Sequence, residues 1–393
     1  MNFQFTKEQE RFRQEVRNFL DKELTSEWKW TVGSSRYEEE VQGEERCAFY
    51  RSFQRKLGEK GWLSLCWPRE YGGQERSRVE FAILRDEIGY YGAPGLPGLT
   101  YSLLAPMLLK YGTEEQKREY LPPLSRGELL FCQGFSEPNA GSDVASLTTH
   151  AVEEGDYFVI DGQKCWTTAA HFFDWGFFLV RTNPNVPKHQ GLSMLLVKLN
   201  TPGITKVQLY DLAGLPAWQE IFFDRVKVPK HNIVGERNRG WQVAISVLND
   251  ERSGIAWLGP SRRALERLIK YVVESKPLSK DPIIRQQLAS LAIEVEISRL
   301  ACYFIADMQD KGVNLVSEAS LTKNYVCRTS DHIAQAGINI LGLFGQLEPG
   351  SKWAPFDGSI ERTFLSYPMW TLAGGCAEVQ SDIVARMILD PPR

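Results

Sequence analysis

Two stretches near the middle of the chain decide how the rest is read: Phe135-Ser136-Glu137-Pro138-Asn139-Ala140-Gly141-Ser142-Asp143, and Asp161-Gly162-Gln163-Lys164-Cys165-Trp166-Thr167-Thr168. The first is rich in small and polar turn formers, the composition of a loop whose backbone can approach a ligand closely. The second follows Tyr157-Phe158-Val159-Ile160. Apolar and β-branched residues on both sides of Asp161-Gly162 predict a hairpin closed by a tight two-residue turn. Gly176-Phe177-Phe178-Leu179-Val180, Ser193-Met194-Leu195-Leu196-Val197 and Glu220-Ile221-Phe222-Phe223 predict further short strands. With no helical pattern between them, residues 126–237 read as a β-barrel or sandwich domain.

Outward from this block the hydrophobic period changes to that of a helix. On the N-terminal side Phe5, Phe12, Val16, Phe19 and Leu20 recur among charges, and Thr6 with Gln9 forms a capping-box pattern. Ser77 to Gly89 and Tyr101 to Tyr111 also read as helix. Gly112 reads as a stop, and Thr113-Glu114-Glu115 as a new N-cap with an acidic first turn. Gly72-Gly73 and Pro94-Gly95-Leu96-Pro97-Gly98 mark loops. On the C-terminal side, Gly240 to Val273, Asp281 to Gly312, Ser317 to Leu341 and Ala377 to Leu389 are periodic, the last ended by Asp390-Pro391-Pro392. The expected fold class is α+β multidomain: an all-α N-terminal domain over 1–125, a middle β domain over 126–237 and a C-terminal helical bundle over 238–393.

Composition excludes several classes. Of 393 residues 43% are hydrophobic and 24% charged, ordinary for a globular protein and unlike a disordered one. A net charge of -3 gives no basic field for nucleic acid. No apolar run is long enough for a membrane-spanning helix, and the polar start from Met1 to Glu8 argues against a signal peptide. The seven cysteines are odd in number and widely spaced, without a CxxC pair. That pattern fits free thiols in the cytoplasm and no disulfide framework. With five scattered histidines, it predicts no metal site. No GxGxxG follows a strand, and neither a phosphate-cradling GxxxxGK[ST] nor a GxSxG elbow occurs. The usual nicotinamide, kinase and hydrolase readings fall away.

The Ser136-to-Asp143 loop, followed by Gly162-Gln163-Lys164-Cys165-Trp166-Thr167-Thr168, resembles the "[TS]EPxAGSD" and "GxKxWIT" strings of the acyl-CoA dehydrogenase family. Other stretches agree in order: Gly61-Trp62-Leu63 with Pro68-Arg69-Glu70-Tyr71-Gly72-Gly73, Tyr111-Gly112-Thr113-Glu114-Glu115-Gln116-Lys117 with Tyr120-Leu121-Pro122, and Thr201-Pro202-Gly203-Ile204 with Phe223-Asp224-Arg225-Val226-Lys227-Val228-Pro229. The resemblance spans essentially the whole chain. It implies a C-terminal four-helix bundle, FAD as cofactor, and oxidation of an acyl-CoA to a trans-2-enoyl-CoA. It also implies an oligomer, with electrons passed to an electron-transferring flavoprotein.

The same resemblance assigns residues. Trp166, Thr167 and Thr168 match positions at the flavin ring. Phe135, Ser136, Gly141 and Ser142 match the flavin and CoA loop, with Ser142 also facing substrate. Most members carry the catalytic base as the Glu of a "YEGT" string. Here Ala373-Gly374-Gly375-Cys376 stands there, and Gly374 has no carboxylate. A minority places the Glu on an earlier helix, and Asn249-Asp250-Glu251-Arg252-Ser253 matches that place. Glu251 is therefore expected to be the base, with Asp250 as the alternative and Arg252 near substrate or cofactor. The Gly374 amide is expected at the thioester oxygen. Cys376 and Glu378, with Asn339, Gly342 and Gly345, match cofactor-side positions.

Departures from the family's pattern point to assembly. Where members clasp a neighbour's FAD with the Arg of "RxxFG", this chain has Ser275; where they carry "QxxGGxG", it has Asn339 and Leu343 for the Gln and second Gly. A phosphate clasp without its Arg loses a bidentate partner. This resembles the base-bearing subunit of bacterial heteromers in which unlike paralogous subunits share flavin sites. Two alternatives differ in kind: a non-catalytic or flavin-sharing subunit, and a flavoprotein oxidase acting on a non-CoA substrate. The missing carboxylate at Gly374 speaks against the oxidase.

Overall fold

The structure is a computed structural model that describes residues 4–24, 43–216, 218–251, 254–313 and 315–389, without the side chains of residues 247 and 249–251. Its helices are α1 (Lys7–Glu23), α2 (Gly43–Glu59), α3 (Arg78–Tyr91), α4 (Ala105–Tyr111), α5 (Glu114–Ser125), α6 (Gly240–Glu251), α7 (Ile255–Glu274), α8 (Pro282–Asp310), α9 (Val316–Leu341), α10 (Ser359–Leu372) and α11 (Ala377–Leu389). Its strands are β1 (Phe131–Gly134), β2 (His150–Glu154), β3 (Tyr157–Thr168), β4 (Trp175–Arg181), β5 (Leu192–Lys198), β6 (Ile204–Leu209), β7 (Trp218–Pro229) and β8 (Ile233–Val234).

The residues pack as two compact units. One, residues 38–75 and 94–251, is built on a single eight-stranded sheet in the order β6-β7-β3-β2-β4-β5-β8, with β1 parallel on β4. α2, α4, α5 and α6 belong to it. The anticipated stop and restart at Gly112 and Thr113 is there: Thr113 caps α5 in a full capping box with Gln116. Such a cap contributes about 1 kcal/mol. Tyr101 to Tyr111 is helical, its first part being the π-helical turn Leu99–Leu104.

The expected Asp161-Gly162 hairpin turn is overturned. β3 runs unbroken from Tyr157 to Thr168 against β7, with a register shift between Ile160 and Gly162. The turn lies upstream, where Glu154 pairs with Tyr157 and leaves Gly155 (φ 57) and Asp156 as the loop. Asp161 does not turn the chain because its carboxylate accepts the Arg225 backbone N–H at 2.8 Å. Gly162 takes φ +141 against Thr149. The pair makes a bulge, the other structure that this residue combination supports.

The other unit, residues 1–37, 76–93 and 252–393, is helical. α1 starts at the expected Thr6–Gln9 capping box. Within the unit α3 packs along α7, and α9 packs against α8, α10 and α11. Its core includes an apolar cluster around Trp257, Tyr367 and Trp370 and another around Leu268, Leu291 and Ile333. Arg13 and Arg17 from α1 both bond the buried carboxylate of Glu87 on α3. The expected continuous helix from Gly240 to Val273 is two helices, α6 and α7. Gly254, at φ +71, precedes α7 and cannot continue an α-helix in that conformation. α10 was not anticipated, because Pro368 inside it reads as a breaker. The proposed stop at Asp390-Pro391-Pro392 lies outside the described residues. The seven cysteines are free thiols. Among the described residues no helix is long and apolar enough to cross a membrane, and no metal-binding cluster occurs.

Candidate functional site

In the sheet unit, the end of β3 carries the first group of expected residues. Trp166 has a left-handed backbone (φ 56) and leaves 58% of its surface open, edge-on to Trp218 at 6.2 Å. Ala169 is left-handed as well, at φ 56. Bulky residues adopt that conformation at a cost of about 1–3 kcal/mol, and such strain gathers where ligands bind. Thr168 is buried. Thr167 is fully buried, and its hydroxyl has no hydrogen-bond partner among the described residues.

The Phe135-to-Ser142 loop is tied to this strand. Cys165 N–H donates to the Ser136 carbonyl at 3.0 Å, and Lys164 Nζ donates to the Phe135 carbonyl at 3.0 Å. Lys164 also meets Glu137 at 2.9 Å. The Glu137 carboxylate accepts N–H groups from Thr148 (2.7 Å) and Thr149 (2.9 Å), so it folds the loop back on itself. Burial works against charge on Glu137, but the Lys164 ammonium and these N–H groups hold its pKa down at about 2. Arg181 donates to the carbonyls of Ala145 and Leu147, and Lys188 bridges to Asp143. Gly141 and Ser142 are left exposed at the tip, with nothing within 4 Å of a Cβ placed on Gly141. Phe135, Ser136, Gly141, Ser142 and Trp166–Thr168 thus form one assembly. The ion pair that fixes it was not anticipated; Lys164 inside a strand of buried residues was the available signal.

In the helical unit, Gly374 (φ 68) and Gly375 (φ 90) link α10 to α11. Gly374 is exposed, and a Cβ there would meet nothing within 4 Å. Among the described residues neither glycine's N–H donates to a protein acceptor. Their carbonyls point to side chains instead: Gln380 donates to Gly374 O at 2.9 Å, and Lys323 to Gly375 O at 2.9 Å. The Cys376 thiol is half-buried. Exposed Glu378 is held below the usual carboxylate range by its own backbone N–H and by the Cys376 thiol. Asn339, Gly342 and Gly345 lie at the other end of α9. Asn339 is 16 residues past Lys323, roughly 24 Å along the helix axis. The structure therefore does not gather those three with Gly374. The side chains of Glu251 and Asp250, and the whole of Arg252, lie outside the described residues; Glu251 is the last residue of α6.

Family profiles of the acyl-CoA dehydrogenase N-terminal, middle and C-terminal domains match residues 6–128, 132–226 and 238–389. The acyl-CoA dehydrogenase FadE26 of Mycobacterium tuberculosis is 34% identical over 100% of this chain and 99% of its own. The chain belongs to the acyl-CoA dehydrogenase family. It has the family's three-domain architecture: helical, β and helical. A solved structure described as the Tcur3481-Tcur3483 steroid ACAD matches with TM-score 0.89 and 33% identity over 100% of both chains. The ChsE4-ChsE5 complex from Mycobacterium tuberculosis matches with TM-score 0.89 and 34% identity, again over 100% of both.

Acyl-CoA dehydrogenases are flavoprotein oxidoreductases, and the residues present fit a flavin. An exposed indole on strained backbone offers a face to a planar ring. The orphaned Thr167 hydroxyl lies beside it in sequence, and the open space at Gly141 lets backbone approach.

Proposed function

We propose that this chain catalyses FAD-dependent α,β-dehydrogenation of an acyl-CoA thioester to a trans-2-enoyl-CoA. The observation that supports this most is the Gly374 loop. It lacks the side chain that most members use as base, yet Gly374 is exposed and, among the described residues, the N–H groups of Gly374 and Gly375 donate to no protein acceptor. The α-carbon of a thioester is a weak acid, so its proton leaves only if charge reaching the carbonyl oxygen is met by fixed donors. The Gly374 N–H meets that oxygen. Glu251, closing α6, takes the α-proton as general base, with Asp250 as the alternative. Trp166, Thr167 and Thr168 orient the FAD ring, and the loop from Phe135 to Ser142 holds flavin and CoA. Arg252, Cys376 and Glu378 flank substrate and cofactor. The chemistry a flavin held by these residues would supply is acceptance of the β-hydrogen as hydride. An electron-transferring flavoprotein is the acceptor.

A second reading concerns assembly. Ser275, Asn339 and Leu343 replace the family's clasp on a neighbour's FAD, and Leu343 is 82% exposed where members have glycine. Two similar structures pair two named chains. On this reading the chain shares its flavin sites with a paralogous subunit. The steroid ACAD among its relatives favours a bulky, ring-bearing acyl group.

The test is the visible spectrum of the purified chain, with and without its paralogue, followed by anaerobic bleaching with a panel of acyl-CoAs that includes ring-bearing ones. Glu251→Gln is expected to keep flavin and slow bleaching by about 10²–10⁴-fold. The same loss in Asp250→Asn alone moves the base there. A colourless chain that gains flavin only with the paralogue supports the shared site. A flavin-loaded protein that no acyl-CoA bleaches overturns the dehydrogenase reading.

A further inference from the structure

Lys323 has no task in the mechanism above, yet it is 1% exposed in the interior of the helical unit. A buried ammonium is costly unless hydrogen bonds satisfy it. Here it donates to two main-chain carbonyls of the α10–α11 link, Gly375 O at 2.9 Å and Thr371 O at 3.3 Å. Beside it Gln380, fully buried, donates to Gly374 O at 2.9 Å. Ala373 N–H is taken by Met369 O at 2.8 Å.

The consequence follows from peptide geometry. Each peptide unit is planar and rigid, so fixing a carbonyl fixes the N–H on its far side. The tied Gly374 and Gly375 carbonyls fix the N–H groups of Gly375 and Cys376, and Ala373 is tied through its own N–H. The Ala373–Gly374 peptide that carries the Gly374 N–H is therefore held between two anchored units, and its freedom to turn is reduced. Two adjacent glycines at positive φ would otherwise sample a wide range of conformations. The ammonium also polarises the Gly375–Cys376 peptide, as a charged donor does more strongly than a neutral one.

We propose that Lys323, with Gln380, is a positioning residue for the thioester oxygen: from inside the bundle the two side chains clamp the Gly374 and Gly375 carbonyls and so limit how far the neighbouring Gly374 N–H can turn. This inference rests on the role given to Gly374 above. In this proposal Lys323 works through that loop and not by contact with substrate or cofactor.

The experiment compares two probes on the flavin-loaded enzyme, with its paralogue where flavin requires it. One is the acyl-CoA that bleaches the wild type. The other is the matching S-alkyl-CoA thioether, in which a methylene replaces the carbonyl. Lys323→Met is expected to lower kcat roughly 10- to 100-fold. It should abolish the wild type's preference for thioester over thioether, with thioether affinity and flavin content unchanged. Gln380→Met should move the same preference in the same direction by a smaller factor. It decides the matter alone if Lys323→Met fails to retain flavin. A wild type with no such preference overturns the Gly374 reading and the inference with it. A preference kept intact in the variants overturns the inference alone, because a lysine that merely anchors α10 to α11 would weaken both probes alike.

Discussion

Lys164 Nζ lies 2.9 Å from Glu137 Oε1 with both side chains sealed from solvent, so the loop from Phe135 to Ser142 is fastened to β3 by a buried ion pair. Removing one partner leaves the other charge stranded, a cost of about 3–5 kcal/mol. Glu137→Gln should therefore melt well below the wild type and lose flavin. The double variant Glu137→Leu with Lys164→Met should recover most of the thermal midpoint, because neither charge is then buried alone. Equal midpoints for Glu137→Gln and the wild type would remove the pair from the account of the loop.

The same pair sets a pH dependence. Burial raises the cost of charge on Glu137, but Lys164 and the loop N–H groups bring its folded pKa down to about 2. An unfolded glutamate titrates near ~4.3. A depressed carboxylate contributes stability that is complete above the unfolded value and is lost as pH falls through the folded one. Between pH ~4.3 and 2 the wild type should lose thermal stability more steeply than the variant carrying both Glu137→Leu and Lys164→Met, since other carboxylates titrate equally in both. Parallel slopes would contradict this.

Two glycines in this region predict opposite outcomes. At Gly162, with φ +141, an added Cβ would fall 2.6–2.8 Å from Thr149. Gly162→Ala should destabilise the fold by about 1–3 kcal/mol through overpacking alone. At Gly141 nothing lies within 4 Å. Gly141→Ala should leave the melting temperature nearly unchanged, within about 0.5 kcal/mol, while weakening flavin or CoA binding by filling the space the ligand needs. Thermal melts and flavin titration of the two variants separate these effects.

Local signals were legible where their cause is local. Thr6 with Gln9 and Thr113 with Gln116 form the boxes their spacing announces, because a cap needs only its own first turn. Asp161-Gly162 misled because a bulge and a hairpin turn ask for the same residues. What decides between them is Arg225, 64 positions away, whose backbone N–H donates to the Asp161 carboxylate. Lys323 was hidden for a similar reason. A lysine in a helix reads as surface, and its acceptors lie about 50 residues downstream. The faint signal was its place among the apolar positions of α9, four after Ala319 and three before Val326, all buried. The family strings gave the sheet-side residues together, because one strand and one loop carry them.

Trp166 supplies the sharpest test of where flavin binds. The fold gains little from it: the indole is 58% exposed, its edge-on contact is with Trp218, and its φ of 56 is unfavourable for any residue with a Cβ. Glycine accepts that conformation freely. Trp166→Gly should leave the flavin-free protein as stable as the wild type or slightly more so, since released strain offsets the lost ring contact. If the indole exists to meet the flavin ring, the same change should weaken flavin binding roughly 3- to 10-fold, the worth of one aromatic stacking contact. Flavin release on dilution, read by recovered flavin fluorescence, measures the second effect, and thermal melts of the deflavinated chain measure the first. Unchanged flavin affinity in a folded Trp166→Gly protein would place the ring elsewhere. A large loss of apoprotein stability would instead show that the strained tryptophan is held for packing.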